Sequence, residues 1–330
     1  MFCAEPYSLA PVATPNAAPA PSEQNAGDFP PSGGGVLLRQ KLHLLLQQHA
    51  PVGLNTEGKL AKCLSAALHN PGSLFRAELA LRCAYVHDFG ARGAESLACA
   101  LEYFHVASLL LDDLPIMDDS MERRGLICPH LLFGEGTTLL AALALITRAY
   151  GLLGDAISSF PLERHRLAHA LIERCLGVAG IVNGQARDIG FHAGTRRGPE
   201  TTQIALQKTV PLIELALVLP AVLAGASTAR RRKLRRVSIC WGLLYQGIDD
   251  ISDVLLTVEA SGKSSGRDQA LGRPNVVRQI GRVRANRYLD RLEGVARACI
   301  DGLLKDDDRF EFLCSFQESL AQRRAALPAE

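Results

Sequence analysis

Aromatic residues are scarce, at 5% of the 330-residue chain, so leucine and alanine must fill whatever core it has. Neither sign of charge predominates: 36 Lys and Arg face 34 Asp and Glu, for a formal net charge of +2. No bulk field therefore draws nucleic acid or an anionic membrane, and function has to come from local sites. The nine cysteines include no CxxC or CxxH pair and are odd in number, which excludes a zinc site or disulfide framework of the usual spacing. Most lie in apolar helical patterns, as Cys83 and Cys99 do, where a free thiol behaves as a small hydrophobe in a reducing compartment. A cytoplasmic location is expected. The longest uncharged apolar run, Leu215 to Ala229, holds 15 residues and contains Pro220, whereas a membrane crossing needs about 20, so no transmembrane segment is expected.

What is present is the composition of a folded protein, 48% apolar and 21% charged. Residues 1–35 stand apart, with seven of the 17 prolines, seven alanines and no Lys or Arg. They match neither a secretory signal nor an arginine-rich transit peptide and are expected to form a disordered tail, with one domain over 36–330. In that domain apolar residues recur at helical spacing, as in Leu37, Leu38, Leu42, Leu45 and Leu46, then Leu97, Leu101, Phe104, Ser108 and Leu111. Gly, Pro and Asn clusters at 51–53, 70–72, 90–93, 125–129, 192–199 and 261–274 mark helix breaks. The reading is an all-α chain, a single bundle of roughly ten or more helices. The basic run of Arg230, Arg231, Arg232, Lys233, Arg235 and Arg236 reads as a solvated helix face, since no aromatics interleave to stack on bases.

Two acidic clusters break the pattern. In the segment from His105 to Asp119, the carboxylates Asp112, Asp113, Asp118 and Asp119 abut apolar residues on both sides. Pro115 lacks an amide hydrogen and disfavours helix at Leu114, so the helix should end there and the chain fold Asp118 back towards Asp112 and Asp113. The second cluster, Asp249-Asp250-Ile-Ser-Asp253, follows Tyr245 and Gln246, and its outer members share one helix face. Carboxylates gathered in a low-dielectric recess need counter-charge. The donors on offer are all oxygens, which favours Mg²⁺, an ion that shares its coordination sphere with substrate phosphates. Two acidic rims with basic residues nearby therefore predict a diphosphate held through Mg²⁺.

These segments resemble the two aspartate-rich motifs of the trans-isoprenyl diphosphate synthases, which include farnesyl and geranylgeranyl diphosphate synthases. The first carries a two-residue Leu114-Pro115 insertion of the bacterial and plant type. Arg123-Arg124-Gly125 with His130, Phe133-Gly134-Glu135, Gly184-Gln185 with Asp188, Lys208-Thr209, and Gly262-Lys263 with Asp268 follow in matching order. The resemblance spans about residues 36–275 and implies a helical bundle around a deep central cavity, usually a homodimer. It implies that Asp112, Asp113, Asp118, Asp249, Asp250 and Asp253 bind three Mg²⁺ ions with the allylic diphosphate, and that Arg123, Lys208 and Lys263 neutralise its remaining charge. Thr209 and Gln246 would turn their oxygens to the allylic cation that isopentenyl diphosphate attacks.

The family's Gly-Gly-Lys-Arg-x-Arg-Pro segment reads Pro71-Gly72-Ser73-Leu74-Phe75-Arg76-Ala77 here. The second diphosphate thus retains Arg76, His105 and Arg124 and lacks two charges. Ala107 and Ser108, five and four residues before Asp112, are small where an aromatic floor would stop the product at fifteen carbons. The resemblance thus implies a prenyltransferase making geranylgeranyl diphosphate, with farnesyl diphosphate as the shorter outcome. A terpene cyclase-like or diphosphate-removing enzyme using only the allylic site, and a non-catalytic partner subunit, are the alternatives.

Overall fold

The computed structural model describes residues 35–191, 199–255 and 272–327, so the segment 1–34 and Lys263 and Asp268 lie outside the described residues. The helices expected from periodicity are there. They begin with α1 (Gly35–Gln48), α2 (Gly58–His69), α3 (Phe75–Val86) and α4 (Ala91–Asp112). After α5 (Pro129–Phe133) come α6 (Glu135–Ser158), α7 (Leu162–Leu176), α8 (Ile181–Ile189), α9 (Pro199–Lys208), α10 (Val210–Leu223) and α11 (Thr228–Leu255). The last are α12 (Val276–Ile280), α13 (Arg282–Leu304) and α14 (Phe312–Ala325), the latter two joined by a 3₁₀ turn.

The core runs along α4, which packs against α3, α6 and α10. Small residues at the crossings let backbones approach closely, and Leu97, Leu101, Leu145, Leu152 and Leu217 fill the space between them. Helix α10 is buried at every position, Glu214 and Pro220 included. Arg174 and Arg235 both reach the Glu214 carboxylate, at 2.6 and 2.9 Å. A buried charge is tolerated only when paired in this way.

Two features depart from expectation. A two-stranded hairpin, β1 (Glu122–Arg123) and β2 (Leu126–Ile127), follows the first acidic cluster. Its turn residues Arg124 and Gly125 have φ of 56° and 74°, the paired left-handed geometry that matches strand twist. In addition, α4 and α6 are long and apolar enough to cross a membrane by length and composition. Uninterrupted runs hide them because Glu102 and Arg148 stand alone in otherwise apolar stretches. In α4 most of that apolar surface is covered by the protein's own helices.

Candidate active site

Half-burial in the middle of apolar helices traces the site. On α4, residues 105, 108, 109 and 112 are half-buried, with Leu111 beside them, while 106, 107 and 110 are buried, and on α11 residues 245, 246, 249, 252 and 253 are half-buried between buried neighbours. Both sets follow helical spacing, so each marks one face turned to a shared recess. Ser108 lies on that face. Ala107 is fully buried, whereas Ser108 is half-buried one turn before Asp112.

At the end of α4 the chain folds back as Pro115 requires. The Asp118 amide donates to the Asp112 carbonyl at 2.9 Å and the Ser120 amide to the Asp113 carbonyl at 3.1 Å. Asp113, 2% exposed, accepts two bonds from Arg123 Nε at 2.8 Å each. The resemblance assigns these two side chains to different ligands; here they neutralise one another. Asp112 accepts from Gln185 Nε2 at 2.7 Å and lies 3.7 Å from Lys208 Nζ, which donates to Asp188 at 2.7 Å. Burial pushes the Asp112 carboxyl above its ordinary range, and Asp118 and Asp188 add to that against the pull of Lys208. Burial also works against the Lys208 ammonium, but Asp112 and Asp188 outweigh it and hold the group charged.

Lys208 ends α9 and Thr209 is the N-cap of α10, at a bend of 49° between the two helices. The Thr209 hydroxyl donates to Gln246 Oε1 at 2.9 Å, and Gln246 Nε2 donates to Asp250 at 2.9 Å. Asp250 accepts in turn from the Val276 amide at 2.7 Å, and its carbonyl from Asn275 at 3.0 Å. Two residues earlier, Arg273 reaches back to Asp118 and to the Met117 carbonyl, the latter at 3.1 Å. The two acidic clusters are therefore joined both through Lys208, Thr209 and Gln246 and through Arg273 to Asn275. Asp249 and Asp253 complete the second rim, paired with Arg323 at 2.6 Å and Arg278 at 2.9 Å.

The donor set fits Mg²⁺ by chemistry, since all its members are oxygen donors; Asp112, Asp118, Asp249 and Asp253 are half-buried, while Asp113 and Asp250 are buried in the contacts just described. Among the described residues, however, no three of these groups are drawn together into a ready-made metal cage. Each of the carboxylates named above leans on a basic or amide group instead, so the arrangement is one that an incoming cation and diphosphate would have to reorder.

The second-diphosphate side is built differently. Gly72 has φ of 86°, and a Cβ there would overlap the Arg124 guanidinium, which donates to the Asn70 carbonyl at 3.1 Å. Leu74, at φ 54°, is buried in the core, whereas Ser73 is exposed. Arg76 is buried, its Nε has no partner, and its guanidinium sits 5.7 Å from the Tyr245 ring centre. Beneath it lies Glu102, whose carboxyl is pushed up to about 7 by burial against the opposing pull of Arg76 and Arg124.

Sequence reasoning assigned no role to Glu102, Arg278 or Arg323, and gave Gln185 and Arg273 no place among the site residues. Only Glu102 carried a local signal, as the lone charge in an apolar stretch one turn before His105.

A family model described as polyprenyl synthetase matches residues 57–290. The chain belongs to the polyprenyl synthetase family. It is 32% identical over 273 residues to the mitochondrial geranylgeranyl pyrophosphate synthase 10 of Arabidopsis thaliana, covering 81% of this chain and 78% of that protein. To the large subunit 2 of that plant's heterodimeric geranylgeranyl pyrophosphate synthase it is 30% identical, covering 80% and 70%. Among solved structures, a geranyltransferase from Helicobacter pylori complexed with magnesium and isoprenyl diphosphate superposes with a TM-score of 0.76 at 25% identity, covering 90% of this chain and all of that one. Membership makes the chain a prenyl-transferring enzyme with the family's all-α fold.

Proposed function

We propose that the chain joins an allylic diphosphate to isopentenyl diphosphate with Mg²⁺ as cofactor, and that its product is geranylgeranyl diphosphate. The observation that carries this is the linkage of the two acidic clusters around Lys208, Thr209 and Gln246. Asp112, Asp113, Asp118, Asp249, Asp250 and Asp253 would hold the metal. Bound Mg²⁺ supplies Lewis-acid stabilisation of the departing diphosphate, which the ground state needs less. Lys208, kept charged by its two carboxylates, offers the diphosphate a fixed cation. Gln246 and Thr209 place amide and hydroxyl oxygens beside the recess, where positive charge develops on the allylic carbon. Arg76, Arg124 and His105 take the second diphosphate. Ser108, small and facing the recess, leaves room for another isoprene unit; farnesyl diphosphate would be the shorter product.

Leu131, Leu132, Leu139, Leu140, Leu143 and Tyr150 stay exposed along α5 and α6. A continuous apolar face of that kind supports a homodimer. The eight cysteines of the described residues are all free thiols, which supports a reducing, cytoplasmic setting. The departures at Ser73 and Leu74 favour one other reading, a subunit that depends on a heteromeric partner. Purified chain alone, with Mg²⁺, isopentenyl diphosphate and each allylic diphosphate in turn, tests both. Twenty-carbon product from the lone chain supports the proposal, and turnover only with an added partner supports the second reading.

A further inference from the structure

Five arginines that the sequence keeps apart share one outer surface. Arg284, Arg287 and Arg291 are exposed on α13, and their spacing of three and four places them on one face of that helix. Helices α11 and α13 pack antiparallel: Lys233 Nζ donates to the Gly302 carbonyl at 2.7 Å, and a Cβ on Gly247 would strike Leu289. That pairing brings Arg232 and Arg236, both exposed on α11, alongside the far end of the same α13 face, where Cys299 is within electrostatic reach of Arg236. At a rise of 1.5 Å per residue, the strip from 284 to 302 is about 27 Å long.

None of the five has an ion-pair partner among the described residues, whereas nearby acids are already paired, Asp290 with Arg324 at 2.9 Å and Asp306 with Lys233 at 2.8 Å. Asp301, at the α13 end of the strip, is an exposed acid without such a pair among the described residues. A chain that is almost neutral in total thus carries a strong local field. Beside these arginines Val283 is 61% and Val295 40% exposed, and no exposed aromatic ring on α13 offers a base something to stack on. Arginines interleaved with apolar side chains suit a lipid headgroup layer, whereas nucleic acid calls for aromatic platforms.

We infer that this face docks the protein on an anionic phospholipid surface, with the five arginines against the headgroups and the two valines at their boundary with the acyl chains. The strip begins where α13 follows α12, whose Arg278 pairs with Asp253 of the second acidic rim at 2.9 Å. A docked molecule therefore holds that rim near a bilayer, where a long-chain diphosphate of the kind proposed above partitions. This benefit rests on the proposed function; the docking itself does not.

The test is flotation of the full-length protein, without substrates, with vesicles of phosphatidylcholine alone or with about a third phosphatidylserine, at low and high salt. Wild type should float with the anionic vesicles only and be released as salt rises, because salt screens exposed charges. One arginine near such a surface is worth about fivefold in binding, so the triple variant Arg284→Gln, Arg287→Gln, Arg291→Gln should bind about a hundredfold more weakly at an unchanged melting temperature. The same three positions changed to lysine should bind as wild type does. Changing Lys59, Lys62 and Arg92 to glutamine, exposed on other helices, removes the same net charge and should leave binding intact. Equal binding to both kinds of vesicle overturns the inference, as does undiminished binding by the first triple variant or an equal loss in the Lys59, Lys62 and Arg92 variant. So does binding of single-stranded RNA by a wild type that ignores the vesicles.

Discussion

On the Asp112 side of the recess, the carboxylates are matched by Lys208, Arg123 and Arg273. On the Arg76 side, two family charges are gone. Ser73 faces solvent, Leu74 has joined the core, and Arg76 and Arg124 remain, with Arg323 of the last helix over the Tyr245 ring. The first side is local in sequence, with its acids held on one helix end and one loop. The second is assembled from α3, the Arg124 turn, α11 and α14. A metal site tolerates little change, because ligand type and spacing are both constrained; a diphosphate needs only enough positive charge within reach, whatever element supplies it.

The largest expected effect lies on the Asp112 side. Asp112→Asn or Asp249→Asn should lower turnover by roughly 10² to 10³, the usual cost of losing one electrostatic element, and chelation should abolish it. Steady-state assays with and without chelator check this, and full activity under either condition would remove the metal from the account. Chain length sharpens the contrast next. Ser108→Phe should shorten the product by an isoprene unit with little change in melting temperature. Ala107→Tyr intrudes on a packed face and should also destabilise the fold, by about 1 to 3 kcal/mol. Product chromatography together with thermal melts separates the two.

On the rebuilt side, Ser73→Lys should lower the Michaelis constant for isopentenyl diphosphate about tenfold and leave the allylic constant alone. An arginine at 74 should not help, because that side chain points into the core, although the sequence pattern alone would recommend restoring both. The smallest effect is a pH dependence. The folded pKa of Glu102 is raised above its unfolded value, so its contribution to stability is complete below about pH 4.5 and is lost as pH rises through about 7. Glu102→Gln should flatten the fall in denaturation midpoint across that window, and an unchanged profile would mean that another group governs it.

Much of this was legible in the sequence, for definite reasons. Helices declare themselves through spacing over many residues, and Pro115 dictates the end of α4. The hairpin did not, because two-residue strands are too short to carry a period. The face of Ala107 required the actual packing of α4. Contacts such as Asp118 with Arg273, 155 residues apart, and Asp249 with Arg323, 74 apart, leave no local trace. Arg323 in particular sits beside Arg324 in the last turn of its helix, where nothing in the pattern sets it off.

The central claim is that one side of the recess is intact and the other rebuilt, and initial rates measured over a grid of both substrates in Mg²⁺ test it most directly. The account predicts strict metal dependence, a low Michaelis constant for the allylic diphosphate, and one for isopentenyl diphosphate that is high and drops when Ser73 becomes lysine. Saturation by isopentenyl diphosphate as readily as by the allylic partner, with no response to Ser73→Lys, would contradict it.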